Sequence, residues 1–161
     1  MAEPRWLSDR EERAWRALQF MQLRLEGALA RQLAAESGLS YPDYLVLVAL
    51  TDRDDGRLRM FELASVLGWE KSRLSHHISR MVDRGLVARE HCESDRRGAY
   101  VVVTKQGRGE IKGAAPGHVA TVRRLFIDPL APSQLDAIAD AASTVLAAFA
   151  SEETLTPGAH G

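Results

Sequence analysis

The sequence has a single cysteine among its 161 residues and only 6% aromatic residues. It also has no apolar run near the ~20 residues that span a bilayer. One cysteine excludes an internal disulfide framework, and the lack of a long apolar run excludes a membrane-spanning helix. The first residues, MAEPRW, lack the apolar core of a signal peptide. We therefore expect a cytoplasmic globular protein of one domain, residues 1–161, with no membrane partner.

Motifs of enzymes are also missing. The sequence has no phosphate-cradling glycine loop, no carboxylate pair at a useful spacing and no nucleophile elbow. The five histidines and Cys92 do not have the compact spacing of metal ligands. A redox role for Cys92, which follows His91, stays open as an alternative. We predict that the protein is not an enzyme and that it has no metal site and no cofactor.

The chain lacks a net positive charge overall, but positive charge is concentrated in its middle. The formal net charge is −1, yet residues 57–112 contain 12 Lys/Arg against 7 Asp/Glu, whereas the rest contains 9 against 15. Attraction to phosphate acts over a Debye length of about 8–10 Å, so the local charge decides it. The middle segment is therefore a candidate for nucleic-acid binding.

Apolar spacing predicts a mainly α fold. A long amphipathic helix is indicated over residues 8–36, and a second helix over residues 41–52 is opened by Ser40 and Asp43 in capping spacing. Two short helices follow over residues 60–67 and 70–84, separated by Gly68 and closed by Gly85. Beyond Gly85 apolar residues recur at every second position instead of with helical spacing. This predicts strands over residues 86–91 and 99–103, joined by a polar loop over residues 93–98. This order is that of a winged helix-turn-helix with a small β-hairpin wing.

The end of the chain is again helical. Thr104 is expected to cap a helix that is interrupted near residues 113–117, because Pro116 cannot donate a helical hydrogen bond. A last helix is expected over residues 133–150, followed by a disordered tail over residues 151–161. The terminal helices have apolar stripes with little of their own chain to cover them. They therefore predict a two-fold homodimer, which would place two DNA-reading helices about 34 Å apart.

The outer face of the fourth helix has the chemistry of a DNA-reading surface. No carboxylate occurs between Glu70 and Asp83, and short polar and cationic side chains suit the major groove. The plain alternative is a solvated helix face. In the wing, Arg96 and Arg97 would enter the minor groove or clamp phosphates, and Asp95 would orient one of them. The predicted DNA-binding residues are Lys71, Ser72, Arg73, Ser75, His76, Arg80, Arg96 and Arg97.

Several short runs of this sequence occur together and in a fixed order: LASVLG at residues 63–68, KSRLS at 71–75, MVDRGLVAR at 81–89, DRRG at 95–98 and TKQG at 104–107. In combination they resemble the MarR family of regulators. The resemblance implies a winged helix-turn-helix lobe over residues 41–104 and a helical dimerisation region over residues 8–36 and 105–150. It further implies a triangular homodimer with intertwined terminal helices, a palindromic operator, and repression that a small ligand often relieves. Trp69 and the pair His76 and His77 depart from the usual pattern.

The resemblance also suggests where a small aromatic ligand would bind. Such ligands often lie between the dimerisation helices and the DNA-binding lobe, where Trp15, Phe20, Met21, Tyr41 and Tyr44 could line a pocket. Ordinary core packing is the alternative for these residues. The leading interpretation is a sequence-specific, double-stranded DNA-binding transcription regulator, acting as a homodimeric repressor that a ligand relieves. A winged-helix dimerisation or protein-interaction module without DNA binding is the competing interpretation.

Overall fold

The computed structural model describes the backbone of residues 4–92 and 95–155, and the side chains of residues 4–90 and 99–150. The chain divides into two compact units, residues 1–121 and 122–161. Within the described part, no helix is both long and apolar enough to cross a membrane. The elements, in chain order, are α1 (Asp9–Glu36), α2 (Tyr41–Thr51), β1 (Arg57–Arg59), α3 (Met60–Leu67), α4 (Lys71–Asp83), β2 (Val87–Cys92), β3 (Asp95–Val103), α5 (Lys105–Val122), a π-helical turn (Arg123–Ile127) and α6 (Pro132–Leu155).

Reciprocal capping pairs open the first two helices. The Ser8 backbone N–H donates to Glu11, and the Glu11 N–H donates back to the Ser8 hydroxyl, which satisfies donors that α1 leaves without helical partners. Ser40 and Asp43 form the same reciprocal pair at the start of α2. The predicted capping pair of α2 is therefore confirmed, and α1 begins within one residue of its predicted start.

The helix-turn-helix consists of α3 and α4. Gly68 ends α3 in the left-handed conformation (φ 62°), which a residue without a Cβ adopts without strain. On α4, Leu74, Ile78 and Met81 are fully buried, as the helical spacing predicts. Val82, which the same helical spacing would place near this face, is instead 37% exposed.

The wing is a three-stranded antiparallel sheet with strand order β1-β3-β2. β1 pairs with β3 through Arg57 opposite Val102, and β2 pairs with β3 through Val87 opposite Val103. The predicted loop over residues 93–98 is wrong for most of its length, since β3 already begins at Asp95, opposite Cys92. Asp and Gly are weak strand formers. Asp95 nevertheless pairs with Cys92, after a register shift between His91 and Cys92, so the ladder extends beyond the β-branched residues of β3.

The core of the first unit joins α1–α5 and the sheet. Its fully buried side chains are leucines and other aliphatic residues contributed by every layer, so the sheet and the helix-turn-helix share one apolar interior. These residues include Leu33, Leu47, Leu50, Leu63, Leu74, Ile78, Met81 and Val101.

α5 begins as predicted but is not interrupted as predicted. The Thr104 hydroxyl accepts from the backbone N–H of Gly107 and donates to Gly85, which caps the helix and attaches it to the start of the wing. The expected break near residues 113–117 is wrong, since α5 runs continuously through Pro116 to Val122. A proline removes a single helical hydrogen bond, and the turns on either side retain theirs. The change in hydrogen bonding comes later, where the N–H of Asp128 donates to the carbonyl of Arg123, five residues back.

Gly107 allows α5 to approach the backbone of Leu86, just before β2, and its replacement tests this contact. A Cβ at this position would overlap the carbonyl oxygen of Leu86 and press against Val103. We expect Gly107→Ala to lower the free energy of unfolding by about 1–3 kcal/mol, the usual cost of overpacking. Gly109→Ala is the control, because a Cβ there meets no atom within 4 Å. Alanine is favoured over glycine inside a helix, so urea denaturation should show the control to be at least as stable as the wild type. Equal destabilisation of both variants would contradict this account.

The second unit contains the π-helical turn and α6. Arg123 donates to Asp128 across the turn at 2.7 Å, and the Gln134 side chain accepts from the backbone N–H of Ala131 at the start of α6. α6 starts at Pro132, one residue before the predicted start, because proline suits the first helical position. It ends at Leu155, so the predicted tail is wrong for residues 151–155. That segment holds two glutamates and no glycine or proline, and it can continue the helix. Residues 156–161 lie outside the described part.

Candidate nucleic-acid interface

The predicted DNA-reading face of α4 is an exposed surface of the folded protein. Lys71, Ser72, Arg73, His76 and Arg80 are all exposed, and the opposite face of the helix is buried in the core. The first turn of α4 has no acidic residue. We call this set of five residues the α4 face.

Arg73 is held by an aromatic ring rather than left free. Its guanidinium carbon lies 4.5 Å from the ring centre of Trp69, which is a cation–π contact. The edge of the same indole meets the ring of His77 at 5.4 Å between centroids. Trp69, which departs from the family pattern, therefore contacts both an arginine of the α4 face and a buried histidine beside that face.

Ser75 is only half-exposed, because the wing reaches it. Arg89 on β2 donates to the carbonyl of Ser75 at 2.9 Å and to the hydroxyl of Ser79 at 3.0 Å. The pair Ser75 and Arg89 thus connects the wing to α4 and fixes the angle at which the helix is presented. Sequence reasoning gave Arg89 no role, since no local spacing relates it to Ser75.

Two further arginines lie on β1. The guanidinium carbons of Arg57 and Arg59 lie 4.9 and 5.3 Å from the ring centre of Tyr100 on β3, and Arg59 also donates to the tyrosine hydroxyl. Arg57 pairs with Asp55 at 2.9 Å. The hydrogen bond from Arg57 lowers the pKa of the Asp55 carboxyl. From the sequence, Arg57 and Arg59 were noticed only as part of the net positive charge of residues 57–112, and no individual role was predicted for them.

Behind α4 lies a buried carboxylate, Asp43, which is 1% exposed. Its Oδ2 accepts from Arg84 at 2.7 Å and from the backbone N–H of Ser40 at 2.9 Å. Its Oδ1 lies 3.0 Å from Nε2 of His77, although the ring is not aligned for a straight hydrogen bond. Burial favours the neutral carboxyl, but the contacts with His77, Arg84 and Ser40 outweigh it and hold the pKa of Asp43 well below its usual value.

Comparison with known proteins identifies this architecture. A model of the MarR family matches residues 37–98, which run from the start of α2 into the wing. AbsC, a MarR family transcriptional regulator from Streptomyces coelicolor, is 42% identical and superposes with a TM-score of 0.84 over 92% of this chain and 99% of AbsC. The chain belongs to the MarR family.

Two other relatives extend the comparison. The MarR family regulator Sco3205 from the same organism, solved in complex with DNA, is 38% identical, with a TM-score of 0.83 over 91% of each chain. The HTH-type transcriptional regulator TtmR of Methylorubrum extorquens is 30% identical over 76% of this chain. That match covers 66% of the length of TtmR. The winged-helix fold predicted from the sequence is therefore confirmed.

The wing arginines of this MarR-family chain can be placed by backbone only. Asp95, Arg96 and Arg97 are the first residues of β3, but their side chains lie outside the described part. The predicted orientation of an arginine by Asp95, and any role for Cys92, therefore stay predictions.

The candidate pocket residues are placed differently from one another. Tyr44 is buried, Tyr41 and Met21 are partly buried, and Trp15 and Phe20 are exposed on α1. The Tyr44 ring packs on His118 of α5 with centroids 4.2 Å apart. The structure thus places Tyr41 and Tyr44 in the first turn of α2, with Tyr44 against α5, and leaves Trp15 and Phe20 on the surface of the single chain.

Proposed function

We propose that this MarR-family chain is a transcription regulator that binds double-stranded DNA sequence-specifically, with α4 in the major groove and the wing on the adjacent minor groove. The α4 face supports this most strongly, since four of its five side chains are cationic or imidazole groups, with no carboxylate among them: Lys71, Arg73, His76 and Arg80. Such groups donate to phosphates and to guanine edges. Arg57 and Arg59 add positive charge on the same sheet as the wing.

The regulator is proposed to act as a homodimer on a palindromic operator. Large apolar side chains are exposed on α1 and on α6, among them Phe20 and Leu23 on the first and Leu146 and Phe149 on the second. A second copy related by two-fold symmetry would cover them and would repeat the α4 face one turn of DNA away. Occupation of promoter DNA by such a dimer, in the cytoplasm where the chromosome lies, would repress transcription.

A small aromatic ligand is proposed to relieve this repression. The oxygen of the Gln32 side chain and Nδ1 of His118 are buried without a hydrogen-bond partner among the described residues. Burial also lowers the pKa of His118 and raises that of Tyr44, whose ring packs on it. Buried polar atoms without partners are costly, and a ligand with polar groups around an aromatic ring could satisfy them. Trp15, Phe20, Met21 and Tyr41 would complete such a site in the dimer.

The dependence of binding on salt tests whether the protein binds DNA at all. Each phosphate contact contributes about −0.9 to the slope of log K against log salt concentration. We expect binding to random duplex with a steep negative slope, measured by fluorescence anisotropy. No binding at about 50 mM salt, where phosphate contacts are strong, would refute the proposal and favour the protein-interaction module.

Substitutions separate the wing from the α4 face. Replacing Arg96 and Arg97 together by alanine should weaken binding to all sequences alike and reduce the salt slope by about 2. Arg73→Ala or His76→Ala should instead change which duplexes are selected from a random pool. Arg16→Ala is the control, since this exposed arginine lies on α1 and pairs with Glu12. Unchanged affinity and unchanged selection in all the interface variants would contradict the assignment of these residues.

A further inference from the structure

We infer that His77 is a positioning residue of the DNA interface: its buried ring accepts a hydrogen bond from Arg80 and so presets the arginine that reads DNA. This inference rests on the proposed function, because it takes Arg80 as part of the surface that contacts the duplex. The inference gives a role to His77, which belongs to the histidine pair that departs from the family pattern.

The geometry joins the core to the α4 face through this one ring. His77 is 8% exposed, and its Nδ1 lies 3.0 Å from Nη2 of Arg80, three residues further along α4. On the other side its Nε2 lies 3.0 Å from Oδ1 of Asp43 on α2. The chain of contacts therefore runs from a buried carboxylate, through the imidazole, to an exposed guanidinium.

The protonation state of the ring follows from its two neighbours. A guanidinium can only donate, so Nδ1 of His77 must be the acceptor and carries no proton. The single ring proton then lies on Nε2, the nitrogen that is 3.0 Å from Oδ1 of Asp43. Asp43 stabilises this tautomer, as a carboxylate does behind a histidine whose other nitrogen binds a cation.

Other side chains also fix the position of the His77 ring. Trp69 meets it edge-on, and Asp43 is fixed in turn by Ser40 and Arg84. An exposed arginine ordinarily samples many rotamers, and DNA binding must then restrict them. The bond to His77 uses only one of the five N–H donors of a guanidinium, so a two-donor contact with a guanine edge remains possible while Arg80 is held.

Two amide substitutions distinguish the two nitrogens of the ring. The Oδ1 of an asparagine at position 77 lies near the place of Nδ1 and can accept from Arg80, but it does not reach Asp43. A glutamine extends to the place of Nε2 and can donate to Asp43, but it leaves Arg80 without its acceptor. We expect His77→Asn to retain operator affinity within about twofold, and His77→Gln and His77→Leu to lose about tenfold, the order of one lost base contact.

A stability measurement on the same variants excludes a merely structural role. Urea denaturation should rank glutamine above asparagine, because the contact with Asp43 supports the fold, whereas operator affinity should rank asparagine above glutamine. If the two rankings agree, His77 acts only through the fold and the inference is wrong.

A double-mutant cycle with Arg80→Ala provides the decisive control. Once Arg80 is removed, His77→Gln should cause no further loss of operator affinity, since the two residues act through one contact. An additional tenfold loss in the Arg80→Ala background would overturn the inference. Arg80→Ala by itself should bind random duplex with a salt slope reduced by no more than about 1, so a failure of the inference is distinguishable from absence of DNA binding.

The tautomer can be observed in the protein without DNA. Long-range proton–nitrogen spectra at neutral pH should show Nδ1 of His77 unprotonated and Nε2 protonated. The opposite tautomer would overturn the inference even if the protein binds DNA as proposed.

Discussion

Replacing Asp43 by asparagine is expected to lower the free energy of unfolding by about 3–5 kcal/mol, the cost of breaking a buried ion pair from one side. The carboxylate offers two acceptor oxygens to three neighbours, namely Arg84, His77 and the N–H of Ser40. An amide offers one oxygen and turns an N–H₂ group toward a donor, so at least one buried contact becomes unfavourable. Urea denaturation at neutral pH measures the loss.

The same substitution should change how stability depends on pH. The pKa of Asp43 is lowered in the folded protein, so the unfolded chain binds its proton first as the pH falls. The stabilisation by the carboxylate is therefore complete above the unfolded pKa of about 4 and is lost progressively as the pH falls below it. The wild type should lose stability in this acidic range, and Asp43→Asn should lose less.

The exposed Asp54 provides the matched control. It lies in the turn between α2 and β1, and Asp54→Asn makes the same chemical change outside the core. Surface substitutions of this kind change stability by less than about 0.5 kcal/mol. A similar loss for Asp43→Asn and Asp54→Asn would show that the buried carboxylate does not stabilise the fold.

The role of Asp43 shows what the sequence could and could not predict. Its spacing from Ser40 identified the start of α2 correctly, because a capping box is a local signal of four residues. The contacts with His77 and Arg84 join residues 34 and 41 positions away, and no local pattern relates them. The sequence placed His77 next to the reading face without revealing that its ring is buried.

Elsewhere too, features set by neighbouring residues were predicted from the sequence, and features set by distant contacts were not. Six DNA-binding residues on α4 were predicted from helical spacing and from the lack of carboxylates; five of them are exposed, and Ser75 is half-exposed. The early start of β3 at Asp95 and the contact of Arg89 with Ser75 depend on pairing between strands and on packing between the wing and α4. The start of β3 was not predicted because strand propensity at residues 95–98 is weak. The contact of Arg89 with Ser75 was not predicted because the two residues are 14 positions apart.

Dimerisation is the second feature whose loss should have a large effect. Leu146 and Phe149 are 65% and 58% exposed, and their spacing places them on one side of α6. Replacing both by glutamate would put two negative charges on the apolar face that the proposed dimer buries, at the cost of taking each charge out of water. We expect the double variant to be monomeric in sedimentation equilibrium. A monomer contacts one half of a palindrome, so operator affinity should fall by about 10²–10⁴-fold, the gain that linkage of two sites provides.

The control adds the same charge to the other side of the helix. Thr144 lies about half a turn from Leu146, and its hydroxyl donates to the carbonyl of Asp140 within α6, so Thr144→Glu should remain dimeric. Affinity for a duplex that holds a single half-site should be equal in the wild type and the double variant, because each monomer keeps its own α4 face. A double variant that stays dimeric, or a monomer with undiminished operator affinity, would refute the proposal that this face of α6 forms the dimer on which operator binding depends.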